Sequence, residues 1–173
     1  MTPYQEIYNV VIKRGYDDNL AKIIVGQSYN ETGNWTSNAF KNHNNAFGYT
    51  YVKGSKWQTG KQGLIADNNK PVADYKNVSD STNELIDWLQ RREKNGKFKV
   101  KDLNTPEKYA QALKDNAYYG ATLNQYISAI KKGVSMYSSK LMQFYDENQG
   151  ISYTIVAIST FAIFLLVKKL RKK

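Results

Sequence analysis

The chain has 173 residues, with 25 Lys and Arg, 15 Asp and Glu, one His and no Cys. That length carries one core-bearing domain, and the lack of Cys excludes a disulfide scaffold, a cysteine nucleophile and thiolate metal sites. A single His excludes a His-rich metal centre, while 41% hydrophobic and 13% aromatic residues describe a folded rather than a disordered chain. The net charge of +10 is lopsided: every acidic residue precedes Gly150, and the tail Lys168-Lys169-Leu170-Arg171-Lys172-Lys173 holds five basic groups, leaving +5 for residues 1–150. Such a face suits an anionic polymer or lipid headgroups, and equally a solvated lysine-rich surface.

Taken in chain order, Thr2 and Pro3 predict a helix start, with Tyr4, Ile7, Tyr8, Val11 and Ile12 at helical spacing and Gly15 as the stop. Asp17 or Asp18 caps a second helix through Leu20, Ile23, Ile24 and Tyr29, running to about Gly33. Ser37 to Lys41 reads as a short third helix. From Ala46 to Tyr75 the glycines at 48, 54, 60 and 63 and Pro71 punctuate short runs, Tyr49-Thr50-Tyr51-Val52 and Gly63-Leu64-Ile65-Ala66, which predicts a small β-lobe of hairpins with a turn at Asn68-Asn69-Lys70. Ser81-Thr82-Asn83-Glu84 has the form of a capping box, followed by Leu85, Trp88 and Leu89 and a stop at Gly96. Thr105-Pro106-Glu107 starts another helix, and Thr122 caps a long final one through Leu123, Tyr126, Ile127, Ile130, Val134 and Tyr137, with Gly133 and Gly150 as kinks or breaks.

Residues 151–167 carry no charge. As a helix they would span about 25 Å, which Leu170 and snorkelling Lys168 and Lys169 extend towards a bilayer core. Residues 151–170 are therefore expected to form a single C-terminal transmembrane helix, with Tyr153 at the interface and 171–173 as a basic tail. The start of the chain lacks the basic and apolar regions of a signal peptide. A basic tail argues for a cytoplasmic C-terminus, whereas an anchor without an export signal leaves the N-terminal domain in the cytoplasm.

Helices, a β-lobe and further helices leave a cleft between lobes. Glu31 falls at the end of the second helix, before Thr32-Gly33, and a carboxyl there, partly desolvated by Tyr29 and Trp35, would keep its proton near neutral pH. That is what a general acid for glycosidic cleavage requires. Trp35, Trp57 and Tyr51 offer faces for sugar stacking, Trp35 being nearest Glu31 in sequence. His43, with no second His or Cys, reads as a rim or turn residue, and no metal or other cofactor is expected.

The run Gln27-Ser28-Tyr29-Asn30-Glu31-Thr32-Gly33-Asn34-Trp35, followed by Asn44-Asn45-Ala46-Phe47-Gly48-Tyr49, resembles the glucosaminidase family of peptidoglycan hydrolases, glycoside hydrolase family 73, in the lysozyme-like superfamily. Tyr75 and the helix start at Ser79 to Glu84 match further, as do Tyr109-Ala110 with Leu113 and then Tyr118-Tyr119-Gly120 with Tyr126, so the likeness covers about residues 5–135. The resemblance implies an α+β, mainly α, lysozyme-like domain over residues 1–146 with its β-lobe at about 46–76 and a junction at 147–150. It implies Glu31 as the acid, with Asn44, Asn45, Phe47 and Gly48 shaping the cleft floor. Tyr118 or Tyr119 would supply the family's active-site tyrosine; Tyr119 is favoured, although Gly120-Ala121-Thr122 departs from the family's Tyr-Ala-Thr. A second carboxylate is expected on the β-lobe, Asp67 first and Asp74 second, or the substrate's N-acetyl group takes that part.

The expected function is a membrane-anchored peptidoglycan hydrolase cleaving β-1,4 bonds between N-acetylated sugars, with catalytic Glu31, Asp67 and Tyr119 and substrate-binding Trp35, Asn45, Phe47 and Tyr118. Muramidase and lytic transglycosylase specificities use the same acid. A bacteriophage carrying a host-derived membrane would reconcile the anchor with the absent leader, placing the domain on a virion, beside capsid or other virion proteins, for use during entry. A bacterial envelope protein is the other location. Beyond a contact from the basic tail, nucleic-acid binding is not expected. The rival class is an inactive lysozyme-like glycan-binding or structural virion membrane protein.

Overall fold

The fold is described from a computed structural model of the chain, covering residues 1–66 and 69–139. Met1–Tyr137 form one compact unit, and Ser138 begins a second. The elements are α1 (Pro3–Lys13), α2 (Asp18–Glu31), α3 (Asn38–His43), β1 (Gln58–Ile65), β2 (Pro71–Tyr75), α4 (Val78–Lys94), a 3-10 turn at Val100–Asp102 and α5 (Pro106–Asp115). A last helix, α6, begins at 123 and continues through 139.

Most helix starts follow the local chemistry. The Thr2 hydroxyl accepts from the Gln5 N–H while the Gln5 side chain returns to Thr2, a reciprocal cap with Pro3 in the first turn. Asp17, not Asp18, caps α2; Ser37 caps α3; Thr105 caps α5; Thr122 and Gln125 cap α6. The exception is α4. It begins at Val78 under an Asn77 cap, and Ser81 and Thr82 lie inside it with hydroxyls bonded to the Val78 carbonyl. The expected capping box at Ser81–Glu84 is therefore incorrect: Asn77 is the earlier cap, which frees Glu84 for the β-lobe.

The central element is α2. Leu20, Ala21, Ile23, Ile24, Val25, Gly26, Gln27 and Ser28 are all buried, so this helix is enclosed on every side. Helix α1 packs on both α2 and α4, and the core is completed by Ile7 and Val11 of α1, Leu85, Ile86 and Leu89 of α4, Tyr109 and Leu113 of α5, and Tyr126 and Ile130 of α6, all buried. Each of these large side chains contributes about 1.5–3 kcal/mol of apolar burial. The β-lobe is a two-stranded antiparallel sheet with irregular register, pairing Gln58 with Tyr75, Gln62 with Ala73 and Ile65 with Pro71. The run Tyr49–Val52 is not a strand; it adds a single bridge, Thr50 to Val72. Side chains take several of its other backbone groups: Asn45 bonds the Tyr49 N–H and C=O, and Gln58 bonds the Val52 N–H and the Thr50 C=O.

Helix α6 runs unbroken through Gly133. It meets Gly26 of α2 backbone to backbone: a Cβ at 133 would lie 2.5 Å from the Gly26 carbonyl oxygen and 2.6 Å from its Cα. Among the described residues no helix is long and apolar enough to cross a membrane. The segment expected to do so, 151–170, lies outside them.

Candidate active site

Glu31 is the last residue of α2 and is half-buried. Beyond it Gly33, Asn34 and Trp35 all have positive φ, at 55°, 62° and 57°. Each non-glycine residue in that left-handed region costs about 1–2 kcal/mol. Thr32 stabilises the turn: its hydroxyl donates to the Ser28 carbonyl at 2.7 Å and accepts from the Trp35 N–H at 2.8 Å. This reversal ends the helix at Glu31 and turns the chain away from it.

The opposite wall is the loop after α3. Asn44, with φ 49°, caps α3 and donates to the Tyr75 carbonyl. Asn45 is buried, and its amide donates to the Tyr49 and Ala73 carbonyls and accepts from the Tyr49 N–H. The paired asparagines thus tie the loop to β2 and bring Gly48 against Glu31. A Cβ on Gly48, where φ is +69°, would stand 3.7 Å from Glu31 Oε2. Phe47 is buried, and its carbonyl accepts the Tyr118 hydroxyl at 3.0 Å.

The third wall is α6. The Gly26–Gly133 crossing places the start of α6 beside the end of α2, and the Tyr126 hydroxyl donates to Glu31 Oε1 at 2.6 Å. Burial raises the Glu31 pKa, only partly opposed by the Tyr126 bond. Its place at a helix C-terminus, among outward-pointing carbonyls, acts in the same direction as burial. Oε1 is occupied by Tyr126, while Oε2 faces the small Gly48. This is a carboxyl whose pKa is raised by burial, with Oε1 taken by Tyr126 and Oε2 turned towards Gly48.

A family model described as mannosyl-glycoprotein endo-beta-N-acetylglucosaminidase matches residues 12–150. The chain belongs to the glucosaminidase family. It is a glycosidase of the endo-β-N-acetylglucosaminidase type, and the family implies peptidoglycan as substrate. No curated protein and no solved structure matches it.

In this glucosaminidase the tyrosine on Glu31 is Tyr126. Tyr119 instead donates its hydroxyl to the Ala110 carbonyl and stacks on Tyr126, ring centroids 3.7 Å apart. Tyr118 lies edge-on to Tyr49 and Trp88. Trp35 donates its indole N–H to Ser28 and packs on Tyr4 and Tyr29. The Trp57 indole donates to Asp87. Asp74 accepts from the Thr59 hydroxyl and pairs with His43 Nδ1 at 2.9 Å, while His43 Nε2 accepts the Leu64 N–H. With Nε2 an acceptor, Nδ1 carries the proton towards Asp74. Asp67 lies outside the described residues. Among the described residues no cluster of His, Asp and Glu is suited to a metal ion.

Two residues that sequence reasoning did not assign to the site lie against Glu31 and beneath it, and both had a detectable signal. Tyr126 falls on the buried stripe of α6 with Ile130, where a phenol needs a partner for its hydroxyl. Gln27, an amide on the buried face of α2, is anomalous for the same reason.

Proposed function

We propose that this glucosaminidase cleaves a β-1,4 glycosidic bond between N-acetylated sugars of peptidoglycan, with Glu31 as general acid. The single observation that carries this reading is a half-buried carboxyl, raised in pKa, with Tyr126 on Oε1 and Oε2 facing Gly48. Glu31 Oε2 donates its proton to the leaving oxygen as the bond breaks, and Tyr126 stabilises the carboxylate left behind. Phe47 and Tyr118 are joined by a hydrogen bond next to Gly48, and Tyr119 stacks on Tyr126. The second role falls to Asp67, to Asp74 or to the substrate's own acetamido group. Asp67→Asn and Asp74→Asn separate them: cleavage lost in one variant assigns that aspartate, and cleavage retained in both assigns the acetamide.

The experiment is digestion of purified peptidoglycan by the wild type and by Glu31→Gln, with mass spectrometry of the new ends. Loss of cleavage in the variant, at least about a hundredfold, is the expected result. New reducing ends in N-acetylglucosamine identify glucosaminidase cleavage; reducing muramic-acid ends or anhydro-muramic ends identify the muramidase or transglycosylase reactions. Unimpaired cleavage by Glu31→Gln would refute the assignment.

We further propose that residues 151–170 anchor the enzyme in a bilayer, on the membrane of a virion that uses it during entry. The uncharged run and its basic flank support this. Flotation with membranes, combined with protease protection on purified particles, tests both anchor and orientation.

A further inference from the structure

Beneath Glu31 lies a buried amide that the acid–base chemistry above leaves unused. Gln27 is one turn before Glu31 on α2, on the same side of the helix. It is fully buried, and its Oε1 accepts the Tyr109 hydroxyl at 2.5 Å. Its Nε2 is also buried and makes no hydrogen bond. An idle buried donor is costly and calls for an explanation. Its neighbour is the phenol that serves Glu31. Burial and the Glu31 charge raise the Tyr126 pKa, and the Gln27 amide acts against them.

We infer that Gln27 is a positioning residue: anchored through Oε1 by Tyr109, it presents Nε2 to the Tyr126 oxygen, holds that phenol as a donor to Glu31 Oε1, and so confines the transferable proton to Oε2. This rests on Glu31 being the general acid. A phenol oxygen that faces an N–H cannot readily turn to accept a proton from Oε1. Without the amide, Tyr126 is free to rotate and accept, and the acid proton then settles on the oxygen directed away from the substrate.

The test uses the full-length protein with Gln27→Met, which keeps the volume and removes the donor, beside Tyr126→Phe, the double variant and Glu31→Gln. Two readouts are needed: carbon-detected NMR titration of the Glu31 carboxyl in the free protein, and kcat and KM against pH on soluble glycan fragments. The expected result for Gln27→Met is an upward move of the Glu31 titration and of the alkaline limb of kcat, in the direction Tyr126→Phe produces. Its kcat falls on the order of tenfold with KM within about twofold. The double variant shifts no further than Tyr126→Phe alone. An unmoved titration and alkaline limb, with only a lower melting temperature, would overturn the inference, as would additive shifts. Should Gln27→Met fail to fold, Tyr109→Phe frees Oε1 and is expected to give a smaller shift of the same sign; no shift there overturns it equally. If Glu31→Gln still cleaves, the general-acid reading fails, while the NMR titration still reports whether Gln27 acts on Glu31.

Discussion

Glu31 balances opposing influences, and their sum makes a prediction about stability as well as rate. Its folded pKa lies above the ordinary 4.5, because burial outweighs the Tyr126 bond. The stabilising contribution of the protonated group is complete below the unfolded value and is lost as pH rises through the folded one. Glu31→Gln, which cannot ionise, is therefore expected to be more stable than the wild type at about pH 7.5 and indistinguishable from it near about pH 4. Denaturant melts at the two pH values check this. Ala117 gives a second prediction. It closes α5 with φ 54°, its N–H bonded to the Lys114 carbonyl and the Tyr118 N–H to the Leu113 carbonyl. That is the position where glycine is usual. Ala117→Gly relieves the left-handed strain and loses part of the gain to unfolded-chain entropy, for a net stabilisation of about 0.5 kcal/mol. The urea midpoint should rise with cleavage unchanged.

Two contacts between elements set the geometry of the domain, one beside Glu31 and one at the β-lobe. The first is the glycine crossing of α2 and α6. Gly133→Ala would drive a methyl into the Gly26 backbone, so the helices must separate. The expected cost is about 1–3 kcal/mol. Because Tyr126 lies about two turns away on the same helix, cleavage should fall more than stability alone explains, read as loss of kcat at a temperature where the variant is fully folded. The second contact is Glu84 of α4, which accepts from the Tyr75 hydroxyl at 2.6 Å, Gln58 Nε2 at 3.1 Å and the Ser55 hydroxyl at 3.2 Å. Glu84→Ala leaves these donors without their acceptor, a cost of about 1–3 kcal/mol for each that stays buried. Amide exchange in 55–65 should accelerate well before that in α2.

Across the whole domain the β-lobe is fastened to the helices by carboxylates that respond to acid oppositely to Glu31. Asp87 accepts from Arg14 at 2.6 Å and from the Trp57 indole at 2.7 Å; Asp74 accepts from Thr59 and His43. Burial raises each, but these bonds prevail and hold both below the ordinary 3.8. Their stabilisation is present above 3.8 and is lost as pH falls through the lower folded values. Acidification below that point should release the β-lobe first, seen as faster exchange of β1 amides while α2 stays protected, and Asp87→Asn should already show part of that loosening at neutral pH.

Much of this protein was legible in its residues. Helix starts at Thr2, Asp17, Ser37 and Thr105 depend on groups a few positions apart, so local chemistry sufficed to locate them. The end of α2 at Glu31 was legible because the turn that follows it is encoded in the next four residues. Determined by sequence, too, was the uncharged run at 151–167, a property of composition alone. The tertiary structure decided what depends on distant partners. Which tyrosine reaches Glu31 follows from a glycine crossing between positions 26 and 133, far apart along the chain. Asn77 rather than Ser81 capped α4, and Glu84 turned to the β-lobe, because Tyr75 and Gln58 offered buried donors that no local pattern announces. Asn45 became a tie to β2 rather than an open polar group for the same reason: a buried amide takes the backbone partners that packing brings to it.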